Sequence, residues 1–260
     1  MAAVAESEAA SASAPVPRYE PSWMYDAVPE EMIAHSMRPP TSAGLDADVS
    51  EWCRKRLVHH GHAANARGHH HMAYAWFSCA YGLSMSATDL LSAINMRLRL
   101  GQCTLAARLY GCVLSCDDIT DAQREVAQRK LAEAEVMAAA RTREPQLVPV
   151  DDEVAQLLAP LPAPPDSARL VRLLRRSGHA ANRARDFEAA ALWFDCTYAA
   201  SQQLADLLST ANMRLKLAER SPAAAALYAF ALSEPHANER EVEMAARKLG
   251  LITAAPAAAA

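Results

Sequence analysis

The chain is poor in the residues that build β-sheets. Aromatic side chains make up only 6% of it and there are 8 glycines in 260 residues, while alanine supplies much of the 52% hydrophobic content. Small residues with few aromatics suit closely packed helices better than a β-sandwich or barrel. No apolar run approaches the roughly 18 residues that cross a bilayer, so no membrane association through a spanning helix is expected. Asn-x-Ser/Thr glycosylation acceptors are absent, and the cysteines Cys53, Cys79, Cys103, Cys112, Cys116 and Cys196 are scattered, most of them in the first half. That distribution does not staple both halves, so reduced thiols and a cytoplasmic location are expected. The first eighteen residues lack the pattern of a secretory or Arg-rich leader, and their Ala/Ser content stays compatible with plastid import. A net charge of −4 disfavours nucleic acid as a partner, because phosphate binding needs a basic surface. No phosphate loop, CxxC pair, HExxH helix or recognisable Ser-His-Asp grouping is present, so neither an enzyme nor a cofactor is expected.

What is present is a repeat. Gly61-His62-Ala63-Ala64-Asn65 recurs as Gly178-His179-Ala180-Ala181-Asn182, displaced by 117 residues. Trp76-Phe77, Cys79 and Tyr81 match Trp193-Phe194, Cys196 and Tyr198 at the same displacement. So do Asp89-Leu90-Leu91-Ser92 and Asn95-Met96-Arg97-Leu98 with Asp206-Leu207-Leu208-Ser209 and Asn212-Met213-Arg214-Leu215. Leu109-Tyr110 pairs with Leu227-Tyr228 one residue later. Chance does not give this agreement, and the pattern reads as an internal tandem duplication.

The organisation then follows. Residues 1–47, rich in Ala, Ser and Pro, read as a disordered arm, with an aromatic cluster from Tyr19 to Tyr25 that suits docking on a surface. Residues 48–141 form the first copy and 167–253 the second, each with five helices. Between them, 142–166 carries six prolines and reads as a stiff connector holding the copies apart, with a short helix from Asp151 to Leu158. An Ala/Pro tail occupies 254–260. Each copy is expected to fold alone.

Gly178, Phe187, Ala190 and Phe194 follow a small, aromatic, small, aromatic spacing along paired helices, and Gly61, Ala73, Phe77 and Ala80 repeat it in the first copy. Asn95 and Asn212 lie 34 residues beyond the two glycines. In this spacing the chain resembles the tetratricopeptide repeat family. The resemblance implies an all-α fold of two tandem helical-hairpin solenoid modules, and a concave groove on the first helix of each hairpin that takes a partner peptide. It departs from the family pattern at Asn95 and Asn212, where a small residue belongs.

On one face of the first helix stand Lys55, Val58, His62 and Asn65, matched by Arg172, Arg175, His179 and Asn182. Arg99 and Lys216 extend these faces from the third helix of each copy. The expected function is a non-enzymatic protein-interaction scaffold. Its groove residues would be Lys55, His62, Asn65, Arg99, Arg172, Arg175, His179, Asn182 and Lys216, and its partner a protein or peptide with acidic groups. The alternative is metal binding by His59, His60, His62, His69, His70 and His71, because imidazole is a common transition-metal ligand. The second copy replaces all but one of these, which favours ordinary turn and surface roles. Cys112 and Cys116 lie one helical turn apart, but their counterparts Phe230 and Glu234 point to incidental packing.

Overall fold

The computed structural model describes residues 28, 30–141, 150–159, 167–218 and 221–254. Among these it is all-helical, with no strand. The helices are α1 (Glu30–Met37), α2 (Ala47–Ala66), α3 (His70–Ser84), α4 (Ala87–Arg99), α5 (Cys103–Leu114) and α6 (Asp121–Arg141), followed by α7 (Val150–Leu158), α8 (Ser167–Arg183), α9 (Phe187–Ser201), α10 (Leu204–Leu217), α11 (Pro222–Ser233) and α12 (Glu239–Thr253).

Matching local signals set matching boundaries. Met85 and Gln202, 117 residues apart, close α3 and α9 in the left-handed conformation, each giving its N–H to the carbonyl four residues back. Gly68 and Arg185 occupy the same turn with positive φ. Gly68 is at ease there, whereas Arg185 holds a conformation in which its Cβ is crowded. Asn238 and Glu241 form a reciprocal capping box at the start of α12, so two orphan N–H groups are satisfied at once.

Two helices are apolar round most of their circumference. Met72 to Tyr81 in α3 is buried apart from Tyr74, and Ala189 to Ala200 in α9 is buried apart from Leu192. Such a helix needs neighbours on all sides, and α3 and α9 supply each other. Cys79 and Cys196, fully buried, meet with their sulfurs 3.8 Å apart. The Arg169 guanidinium lies over the Trp52 ring at 4.5 Å. Both pairs are separated by 117 residues, so each residue touches its own counterpart. That happens on a twofold axis and not in a translational stack, where neighbouring repeats meet through different faces.

The expectation of two solenoid modules held apart is therefore corrected. One core cluster runs through both copies, from Cys53, Leu57, Trp76 and Phe77 to Trp193, Phe194, Leu208 and Tyr228. A second cluster belongs to the first copy alone and joins α1 to α4, α5 and α6 through Ile33, Ile94, Leu105 and Tyr110. The core is shared by α2, α3, α8 and α9, so the copies are in contact and not held apart.

The arm and the connector need the same correction. Residues 30–47, expected to be disordered, begin with α1 and continue as a strap across α3 and α9. The strap is tied by four hydrogen bonds: Tyr81 donates to the Met37 carbonyl at 2.8 Å, Trp193 Nε1 to the Thr41 carbonyl at 2.7 Å, and Arg38 and Thr41 each to Asp186 at 3.1 Å. The Tyr19–Tyr25 cluster lies outside the described residues. Helix α7, expected as a short helix in a spacer, packs on α3, α9 and α11. It is the second copy's equivalent of α1, which packs on α5. His35 of α1 meets Glu188 at 2.6 Å, and Gln156 of α7 accepts the His71 N–H at 3.0 Å. Glu188 and His71 are themselves 117 residues apart. Among the described residues each copy thus has six helices, where five were expected.

Candidate functional site

Close packing fixes the faces of α2 and α8. A Cβ built on Gly61 would lie 2.7 Å from the Phe77 ring, and one on Gly178 would lie 2.9 Å from Phe194. The glycines therefore let α3 and α9 approach, and the buried stripes are Cys53, Leu57 and Ala64 or Leu170, Leu174 and Ala181. The opposite stripes, Lys55, His59 and His62 or Arg172, Arg176 and His179, are exposed.

The structure sorts the nine expected groove residues into three groups. Lys55, Arg99 and Arg172 are exposed, with Lys55 3.5 Å from Glu51. His62 and His179 are exposed but stand edge-on against Phe77 and Phe194, with ring centroids 5.2 and 5.3 Å apart. Their retention therefore has a packing cause as well as a surface one. The remaining four are half-buried or bonded within the protein, Lys216 while staying exposed. Arg175 donates to both oxygens of buried Asp206 at 2.7 Å and also bonds Gln203. Lys216 donates to Asn182 at 2.8 Å and lies over the Phe187 ring. Asn65 has a buried Oδ1 without a partner. Arg175 thus has an acidic partner inside the protein.

A basic surface not anticipated in this form remains along α8. Its charged residues, Arg169, Arg172, Arg175, Arg176 and Arg183, include no acid. Arg169, Arg172 and Arg176 form one wall of a cleft of about 340 Å³ whose other wall is Gly44, Leu45, Asp46 and Val49, at the entrance to α2. Arg172 and Arg176 make no hydrogen bond or ion pair among the described residues. The N-terminus of α2 adds the positive end of its dipole to the cleft, partly offset by Asp46.

The histidine cluster is dispersed. His59 is exposed, His60 is buried against Trp76 with ring centroids 4.8 Å apart, and His62 is on Phe77. Among the described residues, no group of three or more His, Cys, Asp or Glu side chains is placed to hold a metal ion.

The sequence reading missed a second constellation, in the interior between the copies. Arg214 of α10 bonds Glu153 of α7 and, at 3.0 Å, Asp195 of α9. Its counterpart Arg97 lies over Tyr74 and bonds that hydroxyl and Gln102. Burial raises the Asp195 carboxyl to about 6 against the pull of Arg214. The Glu153 carboxyl stays below its usual value, because Arg214 and His71 outweigh the desolvation that opposes them. The signal available was Asp195, the lone charge in the apolar run from Ala189 to Ala200. No protein-family model matches the chain, and neither does any curated protein or solved structure.

Proposed function

We propose that this chain is a non-enzymatic interaction scaffold, an internally duplicated protein of tetratricopeptide-like hairpins that binds an acidic segment of a partner protein along α2 and α8. The observation that carries the reading is the pair of corresponding exposed stripes, Lys55, His59 and His62 with Arg172, Arg176 and His179. Packing accounts for the opposite faces of the same helices, and it leaves Arg172 and Arg176 without a structural task. The cleft beside Arg169, Arg172 and Arg176 is where carboxylates would enter, since guanidinium groups take carboxylates in bidentate fashion. The overall charge of −4 then works as a filter, repelling acidic molecules everywhere but here.

The test is fluorescence anisotropy with a poly-glutamate peptide, with a single-stranded RNA of equal charge as the rival probe. Arg172→Ala with Arg176→Ala weakens peptide binding about tenfold, or roughly 1.4 kcal/mol. Raising salt weakens it further. Melting changes by less than about 0.5 kcal/mol, as for other surface changes. Tighter binding of the RNA, or indifference to both substitutions, overturns the reading.

A further inference from the structure

The interior constellation borders a cavity of about 230 Å³ at the junction of α3, α4, α7, α9 and α10. Both equivalent arginines reach it, Arg97 from the first copy and Arg214 from the second, so neither copy could build it alone. Three lining residues carry buried polar atoms that make no well-formed hydrogen bond: Asp195 Oδ1, Arg214 Nε and His71 Nε2. The buried Thr210 hydroxyl lies near Asp195 and is also without a well-formed bond. The Asp195 side chain is only 8% exposed, and a buried acceptor without a donor loses the hydrogen bonds that water would give it. These atoms do not satisfy one another. Asp195 Oδ2 already takes an Arg214 Nη, and the other Nη is held by Glu153.

We propose that this cavity binds a small, neutral, planar heterocycle that presents an amide edge, an N–H beside a C=O, as a lactam or a nucleobase does. The N–H answers Asp195 Oδ1 and the carbonyl answers Arg214 Nε. Neutrality follows from the surroundings: Arg97 and Arg214 balance Glu153 and Asp195, and Glu188 is engaged by His35. Burial lowers the pKa of His71, which keeps its ring uncharged and available as a third polar contact. Planarity follows from the walls, where Leu157 and Leu192 border the space and Arg97 covers the Tyr74 ring. Size agrees, because an apolar cavity of about 150 Å³ already accepts benzene. The site is asymmetric although its frame is nearly twofold. Asp195 corresponds to Ser78, and Tyr74 to Ala191.

The experiment uses the full chain with uracil and 2-pyridone as probes, read by ligand-observed NMR and thermal shift. Pyridine, benzoate and benzylamine serve as ring controls without the amide edge or with a charge. Uracil or 2-pyridone binds saturably with a Kd of about 1 mM or tighter, as expected for ligands of this size, and the controls bind at least about tenfold more weakly. Asp195→Ser, which installs the first copy's residue, abolishes the preference. Because that change also touches the ion cluster, Leu217→Trp is the second variant. Leu217 lines the cavity but is 51% exposed, so the indole blocks the space and leaves melting unchanged. Absence of saturable binding by either amide probe, equal binding of pyridine or benzoate, or insensitivity to Leu217→Trp overturns the proposal. Absence of binding means that the space holds water alone.

Discussion

The two copies bury the same aspartate and hold it differently. Asp89 accepts from Ser84 at 2.7 Å and from Arg54 at 3.2 and 3.3 Å. Asp206 accepts from Ser201 at 2.5 Å and from Arg175 at 2.7 Å on both oxygens. The serines and aspartates correspond, but the arginines do not. Arg54 aligns with Val171, and Arg175 with Val58, one helical turn further on. A helix presents positions i and i+4 to nearly the same place, so a guanidinium from either can neutralise the carboxylate. The requirement belongs to the space between two helices, not to one position in the chain. Other correspondences diverge in the same way. Tyr228 donates to Asn212 at 2.9 Å, while the equivalent Tyr110 hydroxyl and Asn95 Oδ1 are buried without partners.

The largest effect comes from separating the copies. Among the described residues the second copy has no core cluster apart from the shared one, whereas the first keeps a cluster of its own around Ile94 and Tyr110. Residues 150–254 alone should therefore give no cooperative melt by circular dichroism, and 28–141 should keep a partial one. Mixing the two fragments should restore a single transition, because the α3–α9 surface is complementary to itself. A cooperative transition from 150–254 by itself would break the comparison and show that the shared core is dispensable.

A smaller effect separates the two carboxylates. Asp206→Asn should destabilise by about 2 kcal/mol and Asp89→Asn by about 1 kcal/mol. Removing a buried charge strands its partner, and the tighter bidentate pair loses more. Both arginines remain partly solvated, which keeps the figures below those of fully buried pairs. Moving the guanidinium by a turn, Arg54→Val with Val58→Arg, should leave stability within about 1 kcal/mol, since the new arginine copies Arg175. Chemical denaturation of the set measures all three values. A loss in the double variant as large as in Asp89→Asn would show that the first copy depends on its own arginine position.

Helix content and most helix limits were legible in the sequence, because caps, turns and apolar spacing are local. The pairing of the copies was not read, although a signal for it was present. The stretches around Trp76 and Trp193 are apolar on every side, and no single hairpin can bury such a helix. Helix α1 escaped notice because its likeness to α7, two acids and then Ile33-Ala34 against Val154-Ala155, lies at a displacement of 121, not 117, and fails at Met32 against Glu153. Prolines on either side gave both segments the look of linkers. For the site, the exposed basic stripes could be read from helical periodicity. The inward turn of Arg175 could not, because the side chain facing it comes from a helix about thirty residues away. The cavity beside Asp195 depends on five helices from both copies, and no spacing in the chain encodes it.

The effect smallest at neutral pH is a difference in pH response at one pair of corresponding positions, His60 and Ser177, both buried. Burial, with His59 and Arg56 nearby, lowers the His60 pKa from 6.5 to about 4. Its folded-state pKa is thus below the unfolded one. Its contribution is complete above about pH 6.5 and is lost as pH falls through 4, because the folded protein resists a proton that the unfolded chain accepts. His35 acts in the opposite sense. Its bond to Glu188 raises its pKa, so that contribution is complete below about pH 6.5 and fades as pH rises beyond the raised value. Asp195, raised to about 6, costs stability as it ionises between about pH 4 and 6. His60→Ser installs the second copy's residue and should remove about 2 kcal/mol of the loss between pH 7 and pH 4. The void left beside Trp76 lowers stability at every pH, so the slope is the quantity to compare, not the level. His35 and Asp195 titrate in both proteins and cancel in the difference profile. Urea melts at half-unit pH steps give that profile, and parallel curves for the two proteins would show that His60 takes up its proton without opening the fold.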